Sequence, residues 1–166
     1  MNKKMLVIPV LLLAFALISI PVMGAPATKI EGVTIEVHST GPPDPYDGYP
    51  RWVSDHTIVH SKGESAPDST VTLTIPTVGT YTGTWHTEWI ANGNWKKDSI
   101  ETVISSKNTM TFPEGTFEGV NQRRITGSPL SPTTLEDHSV YKGTTGMFKG
   151  WTLKLTNDEG YVIIPK

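Results

Sequence analysis

The chain contains no cysteine, which excludes a disulfide framework, a thiolate nucleophile and a cysteine-held metal or lipid. It has no Asn-x-Ser/Thr sequon, so N-glycans of that type are not expected. It also lacks a Gly-x-Ser-x-Gly nucleophile turn and a glycine loop ending in Gly-Lys-Ser/Thr, the signatures of serine hydrolases and phosphate cradles. Outside the first residues no window has the 3.6-residue apolar period of an amphipathic helix. The longest apolar run, Met5 to Ile20, spans 16 residues, short of the roughly 20 needed to cross a bilayer as a helix.

That run explains the first segment. Lys3 and Lys4 precede it, only Pro9 and Ser19 interrupt it, and Pro21 ends it before Val22-Met23-Gly24. This is the layout of a secretory signal peptide over residues 1–24. Cleavage is expected after Gly24, with cleavage after Ala27 or retention as an N-terminal anchor as the alternatives. The expected protein is secreted or displayed at the cell surface. Without the leader's two lysines, 12 basic residues face 16 acidic ones, a formal charge of −4. A mildly acidic chain without basic clusters is not expected to bind nucleic acid or to stay in a membrane once the leader is cut. Residues 25–166 suffice for one domain with its own core.

The clearest feature present is a repeated pattern, Gly-x-aromatic-x-Gly. It occurs at Gly79-Thr80-Tyr81-Thr82-Gly83, Gly115-Thr116-Phe117-Glu118-Gly119 and Gly146-Met147-Phe148-Lys149-Gly150. In a strand, alternate residues share a face, so each ring would stand between two bare backbones. Glycine there lets a strand coil sharply or lets a neighbouring ring lie on its backbone, as curved, closing sheets require.

Strands are expected wherever apolar and polar residues alternate, first at Val33 to Val37 and most plainly at Ser69 to Pro76. In Gly79 to Ala91, Gly83, Trp85, Thr87 and Trp89 would share one face, and Thr84, His86, Glu88 and Ile90 the other. Asn92-Gly93 predicts a tight hairpin, with Trp95 to Ser106 returning. Gly41 to Pro50, Ser61 to Asp68 and Gly127 to Thr134 read as loops, the last as the candidate mobile segment. Asn157 to Gly160 predicts a final turn against Tyr161 to Ile164. Eight or nine strands without a helix or linker predict one all-β domain, a single antiparallel barrel of about eight strands, with a β-sandwich as the alternative.

On its glycine-aromatic repeats, from about Gly79 to Leu155, the chain resembles the eight-stranded barrels of the allene oxide cyclase, dirigent and lipocalin-like type. The resemblance implies a barrel and carries over no site residues. The Gly-x-Trp opening of lipocalins is missing, Trp52 being the nearest tryptophan, and so are their disulfides.

Several groups invite a chemical reading. His86 and Glu88, two apart, would project from one strand face ~7 Å apart; as an acid-base pair they would need a pocket, and the plainer reading is a solvated face. His56 and His60 have helical metal-ligand spacing, but Thr57-Ile58-Val59 between them favours strand and separates them. Asp44, Asp47 and Asp55 could offer oxygen to calcium, although Asp-Gly more often makes a turn. Arg123-Arg124 would send one guanidinium inward, to meet a ligand carboxylate or to pair with Glu118. Neither a metal nor a cofactor is expected. The ligand-facing candidates are Tyr81, Trp85, Trp89, Phe117, Phe148, Trp151 and Arg123, with core packing as the default for the rings. The function expected is a secreted, non-catalytic binding or interaction module with a barrel able to hold a small apolar ligand. The alternatives are a cofactor-free barrel cyclase, isomerase or hydrolase using His86 and Glu88, and a surface β-domain for adhesion or assembly.

Overall fold

Alternation in the sequence becomes alternation in burial. Val71, Leu73 and Ile75 are buried while Thr70, Thr72 and Thr74 turn outward, so this strand has one face on a core and one toward solvent. A computed structural model describes residues 26–41, 44–55, 57–96, 98–128 and 130–166. The predicted leader and His56 lie outside these residues.

Eleven strands follow one another among the described residues: β1 (Thr28–His38), β2 (Asp44–Pro45), β3 (Arg51–Val53), β4 (Ile58–Glu64), β5 (Thr70–Ile75), β6 (Gly79–Lys96), β7 (Ser99–Phe112), β8 (Gly115–Ser128), β9 (Ser131–Gly143), β10 (Thr152–Thr156) and β11 (Glu159–Ile164). Eight of them close a ring in the order β6-β5-β1-β11-β10-β9-β8-β7, shut by the β6–β7 pairing, with every pairing antiparallel. The fold is therefore the expected all-β barrel and not a sandwich. The three extra strands lie outside the ring: β4 pairs β6, and β2 and β3 pair β4.

The ring strands differ in length. β6 pairs β5 only from Gly79 to Thr84, and β4 takes over its edge from Glu88 to Asn94. On the other side β10 covers β9 only from His138 to Lys142. The upper parts of β6, β7, β8 and β9 thus continue past the barrel as an extension of its wall.

One end of the barrel, the base, is filled. Val33, Ile35, Val71, Leu73, Ile75, Met110, Phe112, Phe117, Tyr141, Phe148, Trp151, Leu153, Leu155 and Val162 form a single buried cluster, with Tyr81 and Trp85 packed against it. Glycine makes this density possible. Gly119 lies between Asn108 of β7 and Tyr141 of β9, and a Cβ there would overlap the Tyr141 ring and the Val140 carbonyl. Gly83 is covered in the same way by Phe112, and Gly63 by Trp89. Two of the three glycine-aromatic units therefore act as expected.

The third does not. Gly146–Phe148 is a turn of 3-10 helix between β9 and β10 rather than part of a strand. Gly146 has φ of 58° and Gly150 φ of 85°, so both glycines serve the left-handed backbone of a tight return. That return drives Phe148 into the base, and the Met147 amide anchors it to the Glu114 carbonyl at 2.8 Å.

Other boundaries are corrected by the pairing. Asn92-Gly93 is not a hairpin: both residues lie mid-strand, opposite Val103 and Thr102 on β7 and His60 and Val59 on β4. Two ladders outweigh the local turn preference, and the chain reverses between Lys96 and Ser99 instead. β4 runs to Glu64, through the first part of the expected loop from Ser61 to Asp68. Gly127 and Ser128 are strand and not loop, pairing Pro132 and Ser131. Asp44 joins β2 and Asp47-Gly48 forms a turn.

Candidate functional site: the polar end of the barrel

Strand register stacks the inward-facing side chains in rows, and their chemistry changes from row to row. The lowest shared row is Trp85, Met110, Phe117 and Gly143. Next come Thr87, Asn108, Gly119 and Tyr141, then Trp89, Ser106, Asn121 and Ser139, then Ala91, Ile104, Arg123 and Asp137. The interior therefore passes from aromatic to amide and hydroxyl to ionic along the barrel axis.

The polar rows are bonded to one another. Asn108, almost wholly buried, donates from Nδ2 to the Tyr141 hydroxyl at 3.0 Å and accepts from the Thr87 hydroxyl. Asn121 donates from Nδ2 to Ser139 Oγ at 2.9 Å and to Asp137 Oδ1. Arg123 donates to Asp137 Oδ2 from Nε at 2.7 Å and from a terminal nitrogen at 2.5 Å. The Asp137 side chain is 6% exposed and that of Arg123 is 42% exposed, so the carboxylate is buried beneath a guanidinium that reaches solvent. Burial pushes the Tyr141 phenol above its usual range, with hydrogen bonds from Ser139 and Asn108 opposing the shift. The phenol stays protonated and can donate at neutral pH.

The β10–β11 turn borders this end. The Asn157 amide donates to the Asp137 carbonyl at 2.9 Å. Asp158, exposed in the same turn, has its carboxyl raised above the ordinary 3.8 by desolvation and then by the Asp137 charge, with Arg123 acting the other way. A raised carboxyl binds its proton more tightly in the folded chain, so folded stability falls as pH rises from 3.8 through the folded value. Asp158→Asn is expected to raise the melting temperature at pH 7 and to lose that advantage at pH 3. A gain of equal size at both pH values would show a backbone effect of asparagine instead.

The candidate residues from the sequence divide between the two ends. Phe117, Phe148 and Trp151 belong to the base, where Phe148 meets Phe117 at 4.8 Å, Tyr81 at 5.1 Å and Trp151 at 5.4 Å between ring centres. Trp85 bridges the ends, edge-on to Tyr141 at 6.4 Å. Trp89 and Arg123 face the polar end, both half-buried, and the Trp89 indole donates to the Glu64 carbonyl at 3.3 Å. Arg123 does point inward, but its partner is Asp137 rather than Glu118, which stands on the outer face. Arg124 points outward to Glu101 at 2.5 Å. His86 and Glu88 share the outer, solvent-exposed face of β6 and not the interior. His60 is exposed on β4, bonded through Nδ1 to Asn92 Oδ1 at 2.7 Å. Among the described residues no three His, Asp or Glu side chains converge as a metal set.

Asn108, Asn121 and Asp137 were not singled out in the sequence. Counting back in twos from Tyr141 reaches Ser139 and Asp137, so a polar residue at an inward position was the available signal. Fold and site together define an eight-stranded antiparallel barrel with a filled base and a hydrogen-bonded polar end. No family model, no curated protein and no solved structure matches the chain.

Proposed function

We propose that the chain is an exported, non-catalytic binding module that takes a small ligand at the polar end of its barrel. The observation that carries this reading is the gradient along the axis: the base is occupied by its own aromatic side chains, whereas half-buried Trp89 and Arg123 present a ring and a guanidinium at the other end. Pockets that fix a ligand combine apolar walls with a few placed polar groups, and Trp85, Trp89, Asn121 and Arg123 supply both. The ligand that fits has an apolar face and hydrogen-bonding edges, in place of a wholly apolar molecule threaded through the base.

The test is native mass spectrometry of the mature protein from its own host, beside the denatured mass of the same sample. A discrete extra mass lost on denaturation, and absent from Arg123→Ala, is the expected result. A bare mass that no added sugar, lipid or amphipathic small molecule changes would reject the reading.

A further inference from the structure

Beyond the polar rows the inner face continues onto the extension. β6 carries Trp85, Trp89 and Trp95 on one face, separated by four and six residues, or ~13 and ~20 Å along the strand. Trp52 of β3 completes the row, edge-on to Trp95 at 5.7 Å between ring centres. Four of the five tryptophans therefore follow one inner face from the barrel to the far tip. Trp85 and Trp89 are half-buried, and Trp52 and Trp95 are each 38% exposed.

The strands beside this aromatic row present a different chemistry on the same face. Ser106 of β7 and Asn121 and Arg123 of β8 are half-buried on it, whereas Thr102, Ser139 and Asp137 are buried, Thr102 accepting from the Trp95 indole at 3.0 Å. Arg123 and Asp137 cancel one another in an ion pair. The charged side chains of β6 and β7, Glu88, Lys107 and Glu101, stand on the outer face. The strip is therefore electrically neutral, with indole rings along one side and, along the other, Ser106, Asn121 and Arg123 interspersed with Ile104 and Ile125.

We propose that this strip binds an uncharged oligosaccharide chain lengthwise, from the polar end of the barrel to Trp95 and Trp52. The proposal rests on the binding-module reading and names its ligand class. A sugar ring has apolar C–H faces that lie on indoles and a rim of hydroxyls that bond amides and hydroxyls. An aliphatic lipid would cover Ser106, the Asn121 side-chain carbonyl and the solvent-facing part of the Arg123 guanidinium without offering them a hydrogen bond. An acidic glycan would meet a neutral strip with exposed Asp158 at its end, and the charges would not match.

The test is isothermal titration of the mature chain with cellobiose through cellohexaose and with the matching N-acetylglucosamine oligomers. Oligogalacturonates and a long-chain fatty acid serve as comparisons. The expected result is binding by one neutral series that tightens with length beyond the dimer and weakens about tenfold in Trp95→Ala. Trp95→Phe, which keeps a ring, should retain most of the affinity, and thermal melts of both variants separate lost binding from lost folding. Absence of binding by both neutral series, or affinity that stops growing at the dimer, overturns the strip. Preference for the fatty acid or the galacturonates overturns the ligand class while leaving a ligand-binding polar end in place. A chain that carries and accepts no ligand at all in native mass spectrometry removes the underlying reading as well.

Discussion

Phe148→Ala is expected to lower the unfolding free energy by about 4 kcal/mol, within the usual range for deleting a buried phenylalanine. Phe148 has no solvent exposure, and its ring touches those of Tyr81, Phe112, Phe117 and Trp151. The base has little freedom to collapse into the vacancy, because the 3-10 turn bearing Phe148 is tied to Glu114, and Trp151 donates to the Phe148 carbonyl at 2.9 Å. Domains of this size are stable by roughly 5–15 kcal/mol, so the loss is a large fraction of the total and a melting-point drop of roughly 10 °C accompanies it. Urea unfolding followed by tryptophan fluorescence measures the effect. Phe148→Leu, which refills most of the volume, should cost less than about 1.5 kcal/mol. A Phe148→Ala loss below about 1 kcal/mol would mean that the turn does not close the base.

Asp137→Ala is expected to cost about 3 kcal/mol, more than Arg123→Ala at about 1 kcal/mol. The asymmetry follows from burial. Removing the carboxylate leaves the guanidinium without its acceptor inside the barrel wall and Asn121 with Ser139 alone. Removing the half-exposed guanidinium leaves a carboxylate still bonded to Asn121 and opened to water. Asp137→Asn should fall between the two, since it keeps an acceptor and loses the charge. Denaturant unfolding of these variants and of the double mutant gives both the order and the coupling energy. If Arg123→Ala proves the costlier change, the buried carboxylate is not the centre of the network.

The strands that alternate cleanly were legible in the sequence. In β5 each second residue is β-branched or leucine and the intervening threonines turn outward, so period and burial coincide. The inner and outer faces of β6 were likewise readable from Gly83, Trp85, Thr87 and Trp89 against His86, Glu88 and Ile90. Where the reading failed, a local signal met a non-local one. Asn92-Gly93 has strong intrinsic turn preference, yet β4 on one edge and β7 on the other hold it extended. Glycine is also ambiguous by nature. Gly119 is present because a ring lies on it, and Gly146 because the backbone enters the left-handed region, and one residue type in one pattern does not separate these causes.

The polar end was hidden for a related reason. Val103 and Ile104 are adjacent apolar residues, so the register of β7 was ambiguous until its pairing placed Ile104 inward and Val103 outward. Asn108 then falls inside. On β9 the bulge near Leu135 breaks the alternation just before Asp137, and Leu135-Glu136-Asp137-His138 gives no period to follow. Arg123 and Glu118 were separable in principle, because residues five apart on one strand face opposite ways.

The order of strands in the ring has a consequence for how the molecule comes into being. β6, β7, β8 and β9 are sequence neighbours joined by short reversals, so their pairing needs only local encounters. The pairing of longest sequence separation lies elsewhere in the ring, where β1 meets β11 and Thr28 lies opposite Ile164. That seam joins the first and last strands among the described residues, and forming it costs the loop entropy of nearly everything between. The meander can therefore assemble early while the seam must wait for the final strand. Until then β1 and β11 each present a bare edge able to pair with another chain. Crowding during synthesis is most hazardous in that interval, and the last six residues of β structure decide when it ends.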